Sequence, residues 1–435
     1  MQKHFLFILA LVLLIGNLSA QKNPPQQFLV SSTLVKAHTK ASISKLWKEK
    51  KIPKIALPVR NDVDIYEIIY KAPWIDSTTW INCSGICYVP RGNKKPAATM
   101  MFGHGTEIRK GRTISDSDAQ QGICLGFATD GYLALFPDYY GMGKGDGRHL
   151  YQHAWSEGMS FVYMLKAVEE LKAQLNVKTN GQLFLTGYSQ GGHASMAAHK
   201  YLQEMNDPRF QVTASSPMSG AYDMTGEQSK YMFQEYPKPF YLPFLLISYQ
   251  EAYKVINTDN VYSIFRSPYD TLLPDFFGDV RLKTYADLDK IMPKIPSQIV
   301  RQDLIDEYVS NPNFAFKLRL KENNLIDWKP EAPMQLCYCK GDREVNYKNS
   351  EVAYNNMKAL GAKNIILKNH SDALDHNTCA AFAVLATKYF FDRFKKKGGN
   401  PKLKDVPAAM QTFVNILKKK EEKKYLASGK DESYH

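Results

Sequence analysis

The chain is 435 residues long, 44% apolar and 12% aromatic, with a formal net charge of +13. That much apolar surface excludes a disordered chain, because its burial offsets the ordering entropy of a large core. No fixed-period self-similarity, sustained heptad or Gly-X-Y run occurs, so repeat arrays, coiled coils and collagen are excluded as well.

Residues 1–20 read as a targeting segment. Lys3 and His4 precede an apolar run from Phe5 to Ile15, and Asn17-Leu18-Ser19-Ala20 brings small residues before Gln21. This pattern predicts a secretory signal peptide cleaved after Ala20, and a secreted or periplasmic location. The run falls short of the roughly 20 residues a membrane anchor needs. Six cysteines in an exported chain permit up to three disulfides, among which spacing does not choose. Cys83 and Cys87 lie four apart on a predicted strand, too far to bridge each other.

Residues 21–60 form a polar, Pro-interrupted N-terminal extension with one helical stretch around Ser32 to Lys48. From 61 to 222 a regular rhythm sets in. Val63 to Tyr70 and Thr78 to Val89 alternate apolar and polar residues and predict an antiparallel pair at the sheet edge. Ala97 to Phe102, Tyr132 to Phe136, Leu183 to Thr186 and Val212 to Pro217 are short unbroken apolar runs, the mark of strands buried on both faces. Phe161, Leu165, Val168, Leu171 and Leu175 fall at helical spacing, and a further helix is expected over about Gly192 to Met205. After an interruption the rhythm resumes over 331–397, with strands at Met334 to Cys339 and Asn364 to Leu367 and helices at about Asn349 to Leu360 and Asn377 to Phe394. Strands alternating with helices predict an α/β fold with a mostly parallel sheet covered on both sides. The interval 223–330 is too long for a connection and is predicted to be a largely helical cap; its aromatic run Phe240 to Ile247 suits either cap core or a substrate-facing wall. A basic tail, 398–435, follows.

The most informative stretch runs from Leu183 to His193, where an apolar strand enters Gly187-Tyr188-Ser189-Gln190-Gly191 and passes directly into a helix. Glycines two positions either side let the Ser backbone take a strained turn without colliding with its neighbours. Ser189 is thereby presented at a helix N-terminus, where a developing anion is favoured, and is the candidate nucleophile.

With this turn the chain resembles the α/β-hydrolase superfamily from about residue 63 to 394. More narrowly it resembles secreted bacterial esterases and lipases of the secretory-lipase type. Phe102-Gly103-His104-Gly105-Thr106 and Phe136-Pro137-Asp138-Tyr139-Tyr140-Gly141-Met142-Gly143 support the likeness. The resemblance implies a base and an orienting acid later in the chain, in the order Ser, acid, His. Asp342, in the Gly341-Asp342 turn after an apolar strand, is the candidate acid, with Glu344 as fallback; Asn346 stands where the family commonly has Pro. His376, just before the last helix, is the candidate base in preference to His370, while Asp372 and Asp375 are further carboxylates able to hold an imidazole. For the oxyanion, the backbone N–H of Gln190 follows from its place after the nucleophile, and the family's second donor maps onto Thr106.

Other residues are read as structural: His104 as part of its loop, His193 and His199 as packing or surface residues, and Gly141 to Gly147 as a site wall, since it lacks the phosphate-loop pattern. His149 and His153 have no accompanying Glu in a metalloprotease arrangement, so no metal is predicted, nor any organic cofactor. The expected activity is an exported serine hydrolase cleaving small-molecule or lipid carboxylic esters through an acyl-enzyme. The alternatives are a serine peptidase of the prolyl oligopeptidase-like type, which normally carries a large propeller for which the N-terminal region here is too short, and a non-catalytic binding scaffold. The basic surplus suits association with anionic surfaces. No nucleic-acid motif accompanies it, and no obligate protein partner is evident.

Overall fold

The computed structural model describes residues 27–53, 56–111, 115, 118–277, 284–397 and 408–427. The signal peptide predicted over 1–20 lies outside them. Among the described residues no helix is long and apolar enough to cross a membrane.

A nine-stranded sheet organises the chain, in the order β1-β2-β3-β5-β4-β6-β7-β8-β9. The strands are β1 (Leu29–His38), β2 (Asp62–Pro73), β3 (Trp80–Arg91), β4 (Ala97–Gly103), β5 (Tyr132–Pro137), β6 (Thr179–Tyr188), β7 (Val212–Met218), β8 (Met334–Tyr338) and β9 (Ile365–Asn369). The first three and the β3–β5 pair are antiparallel, and the remainder, from β5 through β4 to β9, run parallel. The parallel strands are the short apolar runs of the sequence, buried on both faces by helices.

One apolar layer packs α1 (Lys40–Glu49) and α2 (Ala119–Thr129) against the sheet beside the last core helix, with Trp47, Phe127 and Phe391 fully buried. The opposite layer packs α3 (Ala154–Leu175) and α4 (Gln190–Met205), with Phe161, Val168 and Ala198 buried. Each such large side chain contributes roughly 1.5–3 kcal/mol on burial. Cap segments α5 (Tyr241–Tyr253), α6 (Tyr269–Leu272), α7 (Pro274–Phe277), α8 (Tyr285–Ile291), α9 (Gln302–Ser310) and α10 (Ala315–Glu322) follow β7, and enclose an apolar cluster of their own around Phe244, Phe276 and Phe316. The chain then returns through β8, α11 (Lys348–Ala359), β9, α12 (His376–Lys397) and α13 (Ala408–Ala427).

Three features depart from the sequence reading. The helix expected from Ser32 begins only at Lys40, where the Thr39 side chain caps it by accepting the Ser42 N–H at 3.1 Å. Residues 29–38 instead extend the sheet along β2, so β1, not the β2–β3 pair, is the edge. Helix α2, which was not anticipated, starts at Asp118, whose carboxylate accepts the N–H groups of Gln120 and Gln121. Part of the basic tail is the helix α13, docked by Leu417 and Tyr425 on the core and by a hydrogen bond from Ser371 to Glu422.

Candidate active site

Strand β6 ends at Tyr188 and α4 begins at Gln190, leaving Ser189 alone between them at φ 61° and ψ −122°. A non-glycine residue at positive φ costs about 1–3 kcal/mol and persists only where its surroundings enforce it. Here backbone packing enforces it. A Cβ on Gly187 would stand 2.2 Å from the Gly191 carbonyl oxygen, and one on Gly191 would stand 1.9 Å from that of Gly103. The Ser189 N–H donates to Met218 O at 3.0 Å, which ties the turn to β7.

Asp342 lies in the loop after β8 and His376 at the start of α12. The imidazole Nδ1–H donates to Asp342 Oδ2 at 2.6 Å, and Asp342 Oδ1 accepts the N–H groups of Glu344 and Val345 at 2.9 Å each. His376 is tied to Tyr188, the residue before Ser189. The Tyr188 hydroxyl donates to His376 O at 2.5 Å, and the two rings lie 4.9 Å apart. Burial opposes a charge on His376, but the Asp342 carboxylate, through its charge and its hydrogen bond and with help from Glu344 and Asp375, outweighs it and raises the imidazole above its ordinary 6.5. A disulfide, Cys339–Cys379, links the two segments with a Cα separation of 6.0 Å, whereas Cys83, Cys87 and Cys337 remain buried thiols.

Among the described residues none of the competing side chains hydrogen-bonds the His376 ring as Asp342 does. Asp375 caps α12 by accepting the Thr378 N–H, and Asp372 accepts from Asn369. Glu344 is held by the Tyr236 and Tyr241 hydroxyls. His370 is buried near Lys368 and Lys418, its pKa lowered to about 3 chiefly by burial. His104 directs Nδ1 at its neighbouring Gly105 carbonyl, 2.7 Å away.

Gln190 and Thr106 both have backbone N–H groups that no acceptor takes among the described residues. The loop carrying Thr106 abuts the serine, since a Cβ on Gly105 would lie 3.8 Å from Ser189 Cβ. Ser189 opens into a mainly apolar pocket of about 560 Å³, part of it open to solvent, walled by cap residues including Met224, Met232, Leu242 and Leu245 and by Val345. None of residues 141–147 lines it. They instead turn tightly against neighbouring backbone, where a Cβ on Gly141 would meet the Arg148 carbonyl carbon at 2.1 Å.

A buried polar group beside the turn at Ser189 escapes sequence reasoning. Glu157, fully buried on α3, accepts from His193 Nδ1 at 2.6 Å and from the Gln190 side-chain amide at 2.8 Å, and that amide also reaches His149 Nε2 at 2.8 Å. His149 and His193 thus belong to the scaffold under α4, and His153 caps α3. Among the described residues no cluster of three His, Cys, Asp or Glu side chains is placed to hold a metal ion.

No family model matches the chain, and no curated protein matches it. Solved structures do. A candidate hydrolase of Legionella pneumophila superposes with a TM-score of 0.78 at 26% identity, covering 86% of this chain and all of the other. The rice cell wall degrading esterase LipA of Xanthomonas oryzae gives 0.72 at 23% identity, covering 84% of this chain and 96% of its own. The fold is that of the α/β-hydrolases. Candida antarctica lipase A in its closed state is a more distant α/β-hydrolase likeness, with a TM-score of 0.63 at 15% identity over 86% of this chain and 83% of that one. In this fold the pocket at Ser189 lies at the carboxyl ends of the parallel strands, where open α/β sheets hold their ligands.

Proposed function

We propose that the chain is an exported serine hydrolase that cleaves carboxylic esters through an acyl-enzyme intermediate. The observation that carries this reading is the 2.6 Å Asp342–His376 contact beside a serine held at positive φ above an apolar pocket. Ser189 Oγ attacks the ester carbonyl while His376 Nε2 takes its proton. Asp342 fixes the imidazole tautomer and stabilises the imidazolium. The N–H groups of Gln190 and Thr106 hold the oxyanion, each donor being worth about 3–4 kcal/mol. His376 then protonates the departing alcohol, the acyl group stays on Ser189, and water activated by the same imidazole releases the acid.

The apolar cap wall and the esterase and lipase among the similar structures favour an ester with an apolar acyl group over a peptide. Export is supported by the Cys339–Cys379 disulfide, which persists in oxidising compartments. The test pairs a fluorophosphonate probe with turnover of p-nitrophenyl esters and of aminoacyl-naphthylamides. Labelling at Ser189 and faster ester cleavage are expected. An unlabelled Ser189, or faster amide cleavage, would overturn the assignment.

A further inference from the structure

The loop after β4 that carries Thr106 has no regular secondary structure, so its backbone is held by side-chain contacts, among them the Gln120 amide oxygen, which accepts the Gly105 N–H at 2.6 Å. A backbone oxyanion donor is useful only if it is already aimed when charge develops. The peptide plane bearing the Thr106 N–H is held on one side by the His104 imidazole, which lies 2.7 Å from the Gly105 carbonyl oxygen of that plane. On its other side the hold comes from the cap. The Tyr285 hydroxyl, on α8, donates to the Thr106 carbonyl at 2.8 Å and accepts the Ile108 N–H at 3.0 Å, so one phenol grips both ends of the segment.

Two further observations fasten the loop to the cap. Ile108 is fully buried within the cap's own apolar cluster, beside residues such as Phe240 and Phe276. The Thr106 hydroxyl lies 3.1 Å from that of Tyr151, whose ring stacks on Phe244 of the cap with centroids 4.6 Å apart.

We propose that Tyr285 is a positioning residue for the oxyanion hole, its phenol fixing the Thr106 segment so that the cap forms part of the catalytic apparatus and not merely a roof over it. This rests on the hydrolase reading and on Thr106 as second donor. Burial, reinforced by the Glu107 charge, raises the Tyr285 pKa, so the phenol keeps the proton that its dual role requires. A positioning effect must be smaller than the 10²–10³-fold loss that follows removal of a donor outright.

The test is Tyr285→Phe, which deletes both hydrogen bonds but keeps the ring against Phe240, 5.2 Å away between centroids. The expected result is a loss of about tenfold in kcat with KM unchanged, a fraction of the full donor effect. The inhibition constant of a trifluoromethyl ketone, whose adduct carries the oxyanion, should rise by the same factor. A structural role alone would lower the unfolding midpoint without moving that constant. Folded Tyr285→Phe with unaltered kcat and inhibition constant overturns the proposal. Tyr285→Leu carries the same expectation and decides the matter if the phenylalanine variant does not fold. Failure of the wild-type chain to label at Ser189 with a fluorophosphonate would instead sink the hydrolase reading, and this inference with it.

Discussion

Asp342 faces His376 through one carboxylate oxygen, at 2.6 Å, while its other oxygen accepts the N–H groups of Glu344 and Val345. Both oxygens are therefore committed, and the acid cannot rotate away from the imidazole. Asp342→Asn keeps the shape but replaces an acceptor by an amide that favours the wrong imidazole tautomer. Its kcat on p-nitrophenyl esters should fall by about 10⁴-fold, with the fold retained by circular dichroism. Near-normal turnover would remove Asp342 from the mechanism.

The pH profile follows from the same pair. His376 must be neutral to accept a proton, and its pKa is raised above 6.5 by Asp342 against the opposing effect of burial. The acid limb of kcat/KM should therefore have its midpoint above 6.5, and residual activity in Asp342→Asn should have a lower one. The stability from this raised pKa is fully present below the unfolded value and is lost as pH climbs through the folded value. A wild-type midpoint below 6.5 would contradict the assignment of His376 as base.

Three other histidines carry the opposite sign. His153, His199 and His370 are each lowered to about 3, burial being the main cause, with His193 acting on His153 and Lys368 and Lys418 on His370. Such groups contribute stability that is complete above about 6.5 and lost as pH falls from there toward 3, because only the unfolded chain takes up the protons. Each contributes about 1.4 kcal/mol per pH unit over that window. Urea unfolding at pH 7 and pH 5 should show a large loss at the lower value; equal stability would contradict it.

Gly191→Ala tests the turn at Ser189. Its added Cβ would stand 1.9 Å from the Gly103 carbonyl oxygen, a backbone atom unable to swing aside as a side chain would. A loss of about 3 kcal/mol or more is expected, with activity lost alongside. Thermal unfolding of this variant beside wild type is the measurement, and an unchanged midpoint would refute the packing argument.

Chain-length preference should reside in Met232 and Leu242. Both line the pocket at Ser189 and also a second apolar pocket deeper in the cap, which includes Ile264 and Phe316. They are the partition between the two spaces. Met232→Ala should shift the optimum among p-nitrophenyl esters toward longer acyl chains, and an unaltered chain-length profile would show that the deeper space is not used.

The sequence makes legible what is local. At Ser189 the strand, the glycines and the helix are contiguous, so a short stretch specifies the turn. The parallel strands announce themselves as apolar runs because both their faces are covered. Strand β1 does not, since between Leu29 and His38 it is largely exposed and shows no alternation to read. The Asp342–His376 contact joins two loops that leave neighbouring parallel strands, and chain order together with strand ends suggests it. Nothing comparable joins Tyr285 to Thr106 or Glu157 to His193. These partners lie on different elements, Tyr285 in an insertion without periodicity, and only the fold brings them together.

Cys339 stands three residues before Asp342, and Cys379 three after His376. The covalent link thus brackets Asp342 and His376, and fraying of α12 from the sheet cannot carry one far from the other. On heating under oxidising conditions, turnover should consequently survive until the whole domain melts, so that inactivation and unfolding trace one curve. A reductant that reaches the bond would uncouple them, and catalysis would fade at temperatures where the sheet is still intact.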